Sequence, residues 1–192
     1  MKRAVQKRTL ETRAKLLAAA SDLVVCNGYE ALRVEEVVLR AGVAKGTFFA
    51  HFKDKDALME QLIGASIDRE LDELEAADPP SDIDEIVALL CPLVTVMTSE
   101  RYVFDLILRH SGAFMSGEVG PIATTFGRFI MVTAEWFKRC QWRNDLDPYL
   151  VAEGLQSFAI NAMALKFCAL HNETPAQDRL AVYLNAWLEP GA

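Results

Sequence analysis

No stretch of the chain alternates apolar and polar residues as a half-buried strand does, which removes the sheet-based folds from consideration. Cysteines are few and scattered: Cys26, Cys91, Cys140 and Cys168 lie at least 28 residues apart, so neither a metal-binding spacing nor a disulfide framework is present and reduced, mostly buried thiols are expected. The three histidines are far apart, and no phosphate loop, dinucleotide fingerprint or nucleophile elbow accompanies them. An enzyme is therefore not expected, nor a metal or other cofactor. A membrane-length run is missing too: the longest apolar stretch, residues 86–97, falls short of the roughly 20 residues a span requires, and Pro92 interrupts it. Asp22 within the first apolar segment, with no small-residue cleavage site after it, argues against a secretory leader and for a cytoplasmic location.

What is present is a division of charge. Residues 1–55 hold eleven Lys or Arg against six Asp or Glu, a balance of +5, whereas the remainder carries −12 within an overall −7. A basic segment of this size suits a polyanion that the acidic remainder would repel.

Helical periodicity runs through the whole chain, so the fold is expected to be all-α, with about nine helices. Thr9 or Thr12 can cap a first helix whose stripe is Leu16, Leu17, Ala20, Leu23 and Val24, ending at Asn27 and Gly28. A short helix over 34–40 buries Val37 and Val38 and breaks at Gly42; another of about two turns covers 45–51. A long helix starts near Lys55 with Leu58, Leu62, Ala65, Leu71 and Leu74 as its apolar set. Asp78 to Asp82 form a proline-containing linker in which Ser81 or Asp82 can cap the next helix. Further helices are expected at 83–98, kinked or split at Pro92, and at 100–110, 119–142, 148–171 and 175–188. Gly64 reads as a close helix contact rather than a hinge.

Three helices followed by a long one, the second and third joined by a tight glycine turn, is the layout of a helix-turn-helix. The stretch Gly28 to Leu58, "GYEALRVEEVVLRAGVAKGTFFAHFKDKDAL", resembles the DNA-binding segment of the TetR family of transcriptional repressors, with a match over roughly residues 9–60. Each part also has its own physical reason. Gly42 allows the turn and Val43 plugs the angle between the helices. Ala44 to Thr47 form the exposed first turn of a recognition helix, where Gly46 permits close approach to a duplex. Lys45 can donate to phosphate or to guanine O6/N7, and Thr47 can donate to phosphate or touch a thymine methyl. Phe48 and Phe52 should face inward and His51 outward, toward a phosphate. Lys55, at the start of the long helix, adds its charge to that helix's free N–H groups as an anion site.

The resemblance implies DNA contacts from Arg33, Val34, Ala44, Lys45, Gly46, Thr47, Phe49, His51 and Lys55, helped by a basic arm of Lys2, Arg3, Lys7 and Arg8. Three positions depart from the family pattern. Arg33 replaces a capping threonine, Ala44 a common serine, and Phe49 a tyrosine whose hydroxyl usually meets phosphate.

The resemblance further implies a DNA-binding domain over 1–54 and a ligand-binding and dimerisation domain over 55–192. Leu180, Tyr183, Leu184, Trp187 and Leu188 make one apolar stripe in the last helix. The helix before it has two, Val151, Leu155, Phe158 and Ala162, and Ile160, Met163, Phe167 and Leu170. These helices would form an intersubunit four-helix bundle, and the resulting homodimer would match a palindromic operator in double-stranded DNA. Among the aromatic and methionine side chains, Met97, Phe104, Phe114, Phe126, Phe129, Trp136, Phe158, Met163 and Phe167 are the candidates to line a cavity for a small apolar inducer. Arg109, His110 and Arg128 are the nearby cations. The function expected is a ligand-responsive DNA-binding repressor; the alternative is a helical interaction or ligand-binding module that has lost operator binding.

Overall fold

A computed structural model describes residues 2–111, 119–140, 142–170 and 173–189. Among these are nine helices and no strand: α1 (Lys2–Asn27), α2 (Val34–Ala41), α3 (Lys45–Phe49), α4 (Lys55–Ala76), α5 (Ile83–Met97), α6 (Arg101–Ser111), α7 (Pro121–Arg139), α8 (Pro148–Lys166) and α9 (Ala176–Leu188). No single helix among the described residues is long and apolar enough to cross a membrane.

Helix ends follow local chemistry. Asp54 accepts the Ala57 N–H at 2.8 Å and starts α4, and Asp82 accepts the Glu85 N–H at 2.8 Å and starts α5. The Glu85 carboxylate returns to the Ser81 N–H at 2.6 Å, so the linker is closed by a reciprocal cap. Pro121 and Pro148 occupy first turns, where a missing N–H costs nothing.

Several expectations from the sequence are corrected. The first helix starts at Lys2, not at Thr9 or Thr12; the Thr12 hydroxyl donates back to the Arg8 carbonyl at 2.9 Å inside a continuous helix. The third helix stops at Phe49. Pro92 lies within α5 without splitting it. The eighth helix ends at Lys166 rather than at 171: the Phe167 N–H turns back to the Ala164 carbonyl and the Cys168 N–H to the Leu165 carbonyl, both at 3.1 Å, so Leu170 falls off the expected stripe and is 83% exposed. In α4 the buried line runs through Leu58, Met59, Ile63, Ile67, Leu71 and Leu74, and Ala65 is exposed. The thiols are less buried than expected, with Cys26 exposed and the other three partly exposed.

α1 to α3 pack on one another, and α1 also meets α4. α4 lies against α5, α6 and α7, α8 spans α7 and α9, and α9 returns to α5. One apolar cluster is continuous from Leu16, Phe48 and Phe52 through Leu58 to Leu184 and Leu188. At the α4–α7 crossing a Cβ on Gly64 would stand 2.7 Å from the Pro121 Cβ, which accounts for the glycine as a packing residue.

Candidate DNA-binding face and interior cavity

The angle between α2 and α3 is made by backbone. Gly42 sits at φ 66°, its N–H meets the Leu39 carbonyl at 3.2 Å, and the Val43 N–H meets the Val38 carbonyl at 3.0 Å. No atom lies within 4 Å of a Cβ built there, so the left-handed conformation and not space requires glycine. Phe48 and Phe52 are buried at 0% and 2%, and burying Phe48 alone contributes about 1.5–3 kcal/mol. Arg13, from α1, lies 4.4 Å over the Phe52 ring and donates to the His51 carbonyl at 3.1 Å, fixing the far end of α3. Facing outward are Arg33, Ala44, Lys45, Gly46 and Phe49, with Val34, Thr47, His51 and Lys55 half-buried. Lys7 and Arg8 are exposed on α1, and the side chains of Lys2 and Arg3 lie outside the described set.

Arg33 makes no side-chain cap on α2; its carbonyl receives the Glu36 and Val37 N–H groups at 3.1 and 3.2 Å. Glu35 and Glu36 in the first turn oppose the positive end of the helix instead. Glu35 has a second partner, for its Oε1 lies 2.6 Å from the Lys45 Nζ. That ammonium group holds the Glu35 carboxyl below the usual carboxylate range. Lys55 is also engaged: its Nζ donates to the Glu30 carbonyl at 2.8 Å and stands 4.9 Å over the Tyr102 ring. With Asp54 already receiving the Ala57 N–H, the start of α4 is furnished from within the chain. Arg8, Lys15, Arg33 and Lys53 form no ion pair among the described residues.

Behind this face, the turn between α5 and α6 grips the turn between α1 and α2. Glu100 accepts the Tyr29 N–H at Oε1, 2.6 Å, and the Glu30 N–H at Oε2, 2.8 Å. Gly28, at φ 83°, lets the carboxylate in: a Cβ there would lie 2.6 Å from the Glu100 Oε1. Next to it the Tyr102 hydroxyl donates to Asp56 at 2.8 Å, and Arg109 donates to the other oxygen of Asp56 at 2.8 Å. Burial and the Asp56 carboxylate push the Tyr102 phenol well above its ordinary range.

Within the acidic part, Met97, Phe126, Phe129 and Met163 come together around a cavity of about 30 Å³, with Ile67 and Leu71 of α4 in its wall. Its polar neighbours are already satisfied: Gln156 donates to the Phe126 carbonyl at 2.9 Å and Thr125 to the Ile122 carbonyl at 2.7 Å. The other candidates are not brought to it. Phe104 and Phe167 pair with each other at 5.5 Å, Phe158 lies against Tyr183 and Trp187 between α8 and α9, and Trp136 lines an open groove with Tyr149 and Arg139. Phe114 lies outside the described residues. Arg128 is taken up by Asp68, Asp72 and Glu75, each at 2.6 Å, and His110 stands 3.4 Å from Glu60.

Residues 16–62 match the family described as bacterial regulatory proteins, tetR family. That segment coincides with the helix-turn-helix and the head of α4. This segment of the chain is a tetR-family one. Among curated relatives, the chain is 26% identical to the HTH-type transcriptional regulator YvdT of Bacillus subtilis over 107 residues, 55% of each chain. It spans between 27% and 57% of the length of the first curated relatives it matches. Its fold resembles Thermus thermophilus FadR, a TetR-family repressor solved with lauroyl-CoA, at TM-score 0.60 and 19% identity over 94% of this chain and 95% of that one. It also resembles SmeT, repressor of the Stenotrophomonas maltophilia multidrug efflux pump SmeDEF, at TM-score 0.58 and 18% identity over 93% and 91%.

Within the tetR-family segment, the positions that depart from the usual pattern stand where the geometry exposes their consequence. Arg33 leaves α2 without a side-chain cap, Ala44 leaves α3 without one, and Phe49 shows 51% of its surface. Sequence reading did not single out Glu35, Arg13 or Glu100. Glu35 reaches Lys45 across the turn, Arg13 reaches His51 over 38 positions, and Glu100 reaches Tyr29 over 71, separations with no periodic signature.

Proposed function

We propose that the chain is a ligand-responsive transcriptional repressor that binds a palindromic operator as a homodimer and is released by a small, largely apolar ligand. The observation that carries this reading is the exposed first turn of α3, with Ala44, Lys45 and Gly46 in solvent on a turn fixed by Gly42 and the buried Phe48 and Phe52. A helix start presented this way can enter a major groove, while Arg33, Lys53 and the basic α1 residues meet phosphates. The division proposed is a DNA-binding domain over 1–54 and a sensing and dimerisation domain over 55–192. The partner surface is assigned to α8 and α9, where Tyr149, Leu150 and Val182 are exposed and Phe158, Tyr183 and Trp187 are half-buried.

The apolar cavity supports the choice of ligand class. At about 30 Å³ it is far below the roughly 300–1,000 Å³ of a small-molecule site, so an inducer would enter by displacing Met97, Met163 and Phe126. An acyl chain, such as the lauroyl group bound by the Thermus FadR, has suitable chemistry. Because Ile67 and Leu71 belong to the cavity wall and to α4, ligand entry would tilt α4 and move the two recognition helices off their spacing of about 34 Å.

The test is binding to DNA from upstream of the protein's own gene, measured by electrophoretic shift. Lys45→Ala combined with His51→Ala should abolish the shift, and undiminished affinity would sink the assignment.

A further inference from the structure

The Lys45–Glu35 pair has a consequence for how DNA is read. We infer that Glu35 is a positioning residue that gates Lys45, holding it off DNA of arbitrary sequence while leaving it able to read a base edge. The inference rests on the proposed DNA-binding reading of this face. Both side chains are exposed, at 58% for Lys45 and 65% for Glu35, and they meet at 2.6 Å across the turn. On a duplex of arbitrary sequence a lysine gains affinity by pairing with phosphate and releasing counterions. Lys45 already has a carboxylate partner. Exchanging it for phosphate would strand the Glu35 charge beside a polyanion, so the net electrostatic gain is small.

Base reading is affected differently. An ammonium group carries three donors, and Glu35 occupies one of them. The remaining two can reach guanine O6 and N7 with the pair intact. The neighbouring Glu36 is a built-in control: it lies in the same first turn, is exposed, and forms no ion pair among the described residues.

The experiment uses the full-length protein and a mixed-sequence 30-bp duplex, titrated between about 50 and 200 mM salt. Glu35→Gln should tighten binding by about 3- to 10-fold at the low end and steepen the salt dependence by about 0.9 per chain in log–log slope. Glu36→Gln should give less than about half that gain, because it removes the same charge without freeing Lys45. Lys45→Met should change arbitrary-sequence affinity by less than about twofold alone, yet erase the gain when combined with Glu35→Gln. Equal gains from Glu35→Gln and Glu36→Gln would reduce Glu35 to a general charge and overturn the gate. Unchanged or weaker binding by Glu35→Gln would overturn it as well, leaving the DNA-binding reading in place. Absence of binding by both wild type and Glu35→Gln would remove that reading and the gate with it.

Discussion

Phe49 stands four residues after Lys45, on the same face of α3, with half of its surface in solvent. Its ring meets Phe48 edge-on at 5.3 Å, so its position is held without a polar partner. Restoring a hydroxyl with Phe49→Tyr should strengthen DNA binding about threefold, the value of one net hydrogen bond. Titration against an operator fragment measures this; no gain would mean that the groove offers that hydroxyl no acceptor. The glycines Gly46 and Gly64 separate two roles in the same way. A Cβ at Gly46 meets nothing within 4 Å, so Gly46→Ala should raise stability by about 0.5–1 kcal/mol while weakening DNA binding. At Gly64 the added carbon would meet the Pro121 Cβ at 2.7 Å and backbone atoms at 3.2 and 3.3 Å, which cannot rotate away. Gly64→Ala should lower stability by about 1–3 kcal/mol despite its better helix propensity, and thermal unfolding of the two variants gives opposite signs.

Between elements, the contacts that matter most join segments far apart in sequence. Removing the Glu100 carboxylate leaves two adjacent backbone N–H groups without their charged acceptor, the Tyr29 one part-buried. Glu100→Ala should cost about 1–3 kcal/mol and speed hydrogen exchange at Tyr29 and Glu30 while α8 and α9 keep their protection. Faster exchange spread evenly over all helices would contradict a local clamp. Most helices were legible because apolar residues recur at helical spacing and because Asp82 can cap the helix after the proline-containing linker. The ends of α1 and α8 were not, since Thr12 caps as readily as it donates backward, and an apolar run through Leu170 looks helical until the chain turns at Phe167. Of the nine cavity candidates, Met97, Phe126, Phe129 and Met163 converge. Composition names apolar side chains but not which interior they enter, and Phe104 with Phe167 found each other instead.

Across the whole molecule, an N-terminal balance of +5 against −12 elsewhere sets how the protein approaches DNA. Affinity for a duplex should fall steeply with salt, with a slope set by the number of phosphates neutralised, and a flat response would contradict a phosphate-dominated face. Mechanically, however, the same molecule is not two loose halves. Leu58 and Met59, at 0% exposure, lie in the cluster that also holds Leu16, Phe48 and Phe52. A fragment of residues 1–54 should therefore show weaker helical circular dichroism per residue than one of residues 1–62, and equal spectra would show that the first turns of α4 are dispensable to α1–α3.

Biosensor engineering commonly transplants a reading head onto a foreign sensing body. For this chain such a chimaera carries a hidden requirement, because the peptide bonds at Tyr29 and Glu30 expect a carboxylate delivered by the body, through a gap that Gly28 keeps open. A host lacking an acidic residue at that seam would receive a head that folds but swings freely on its mount.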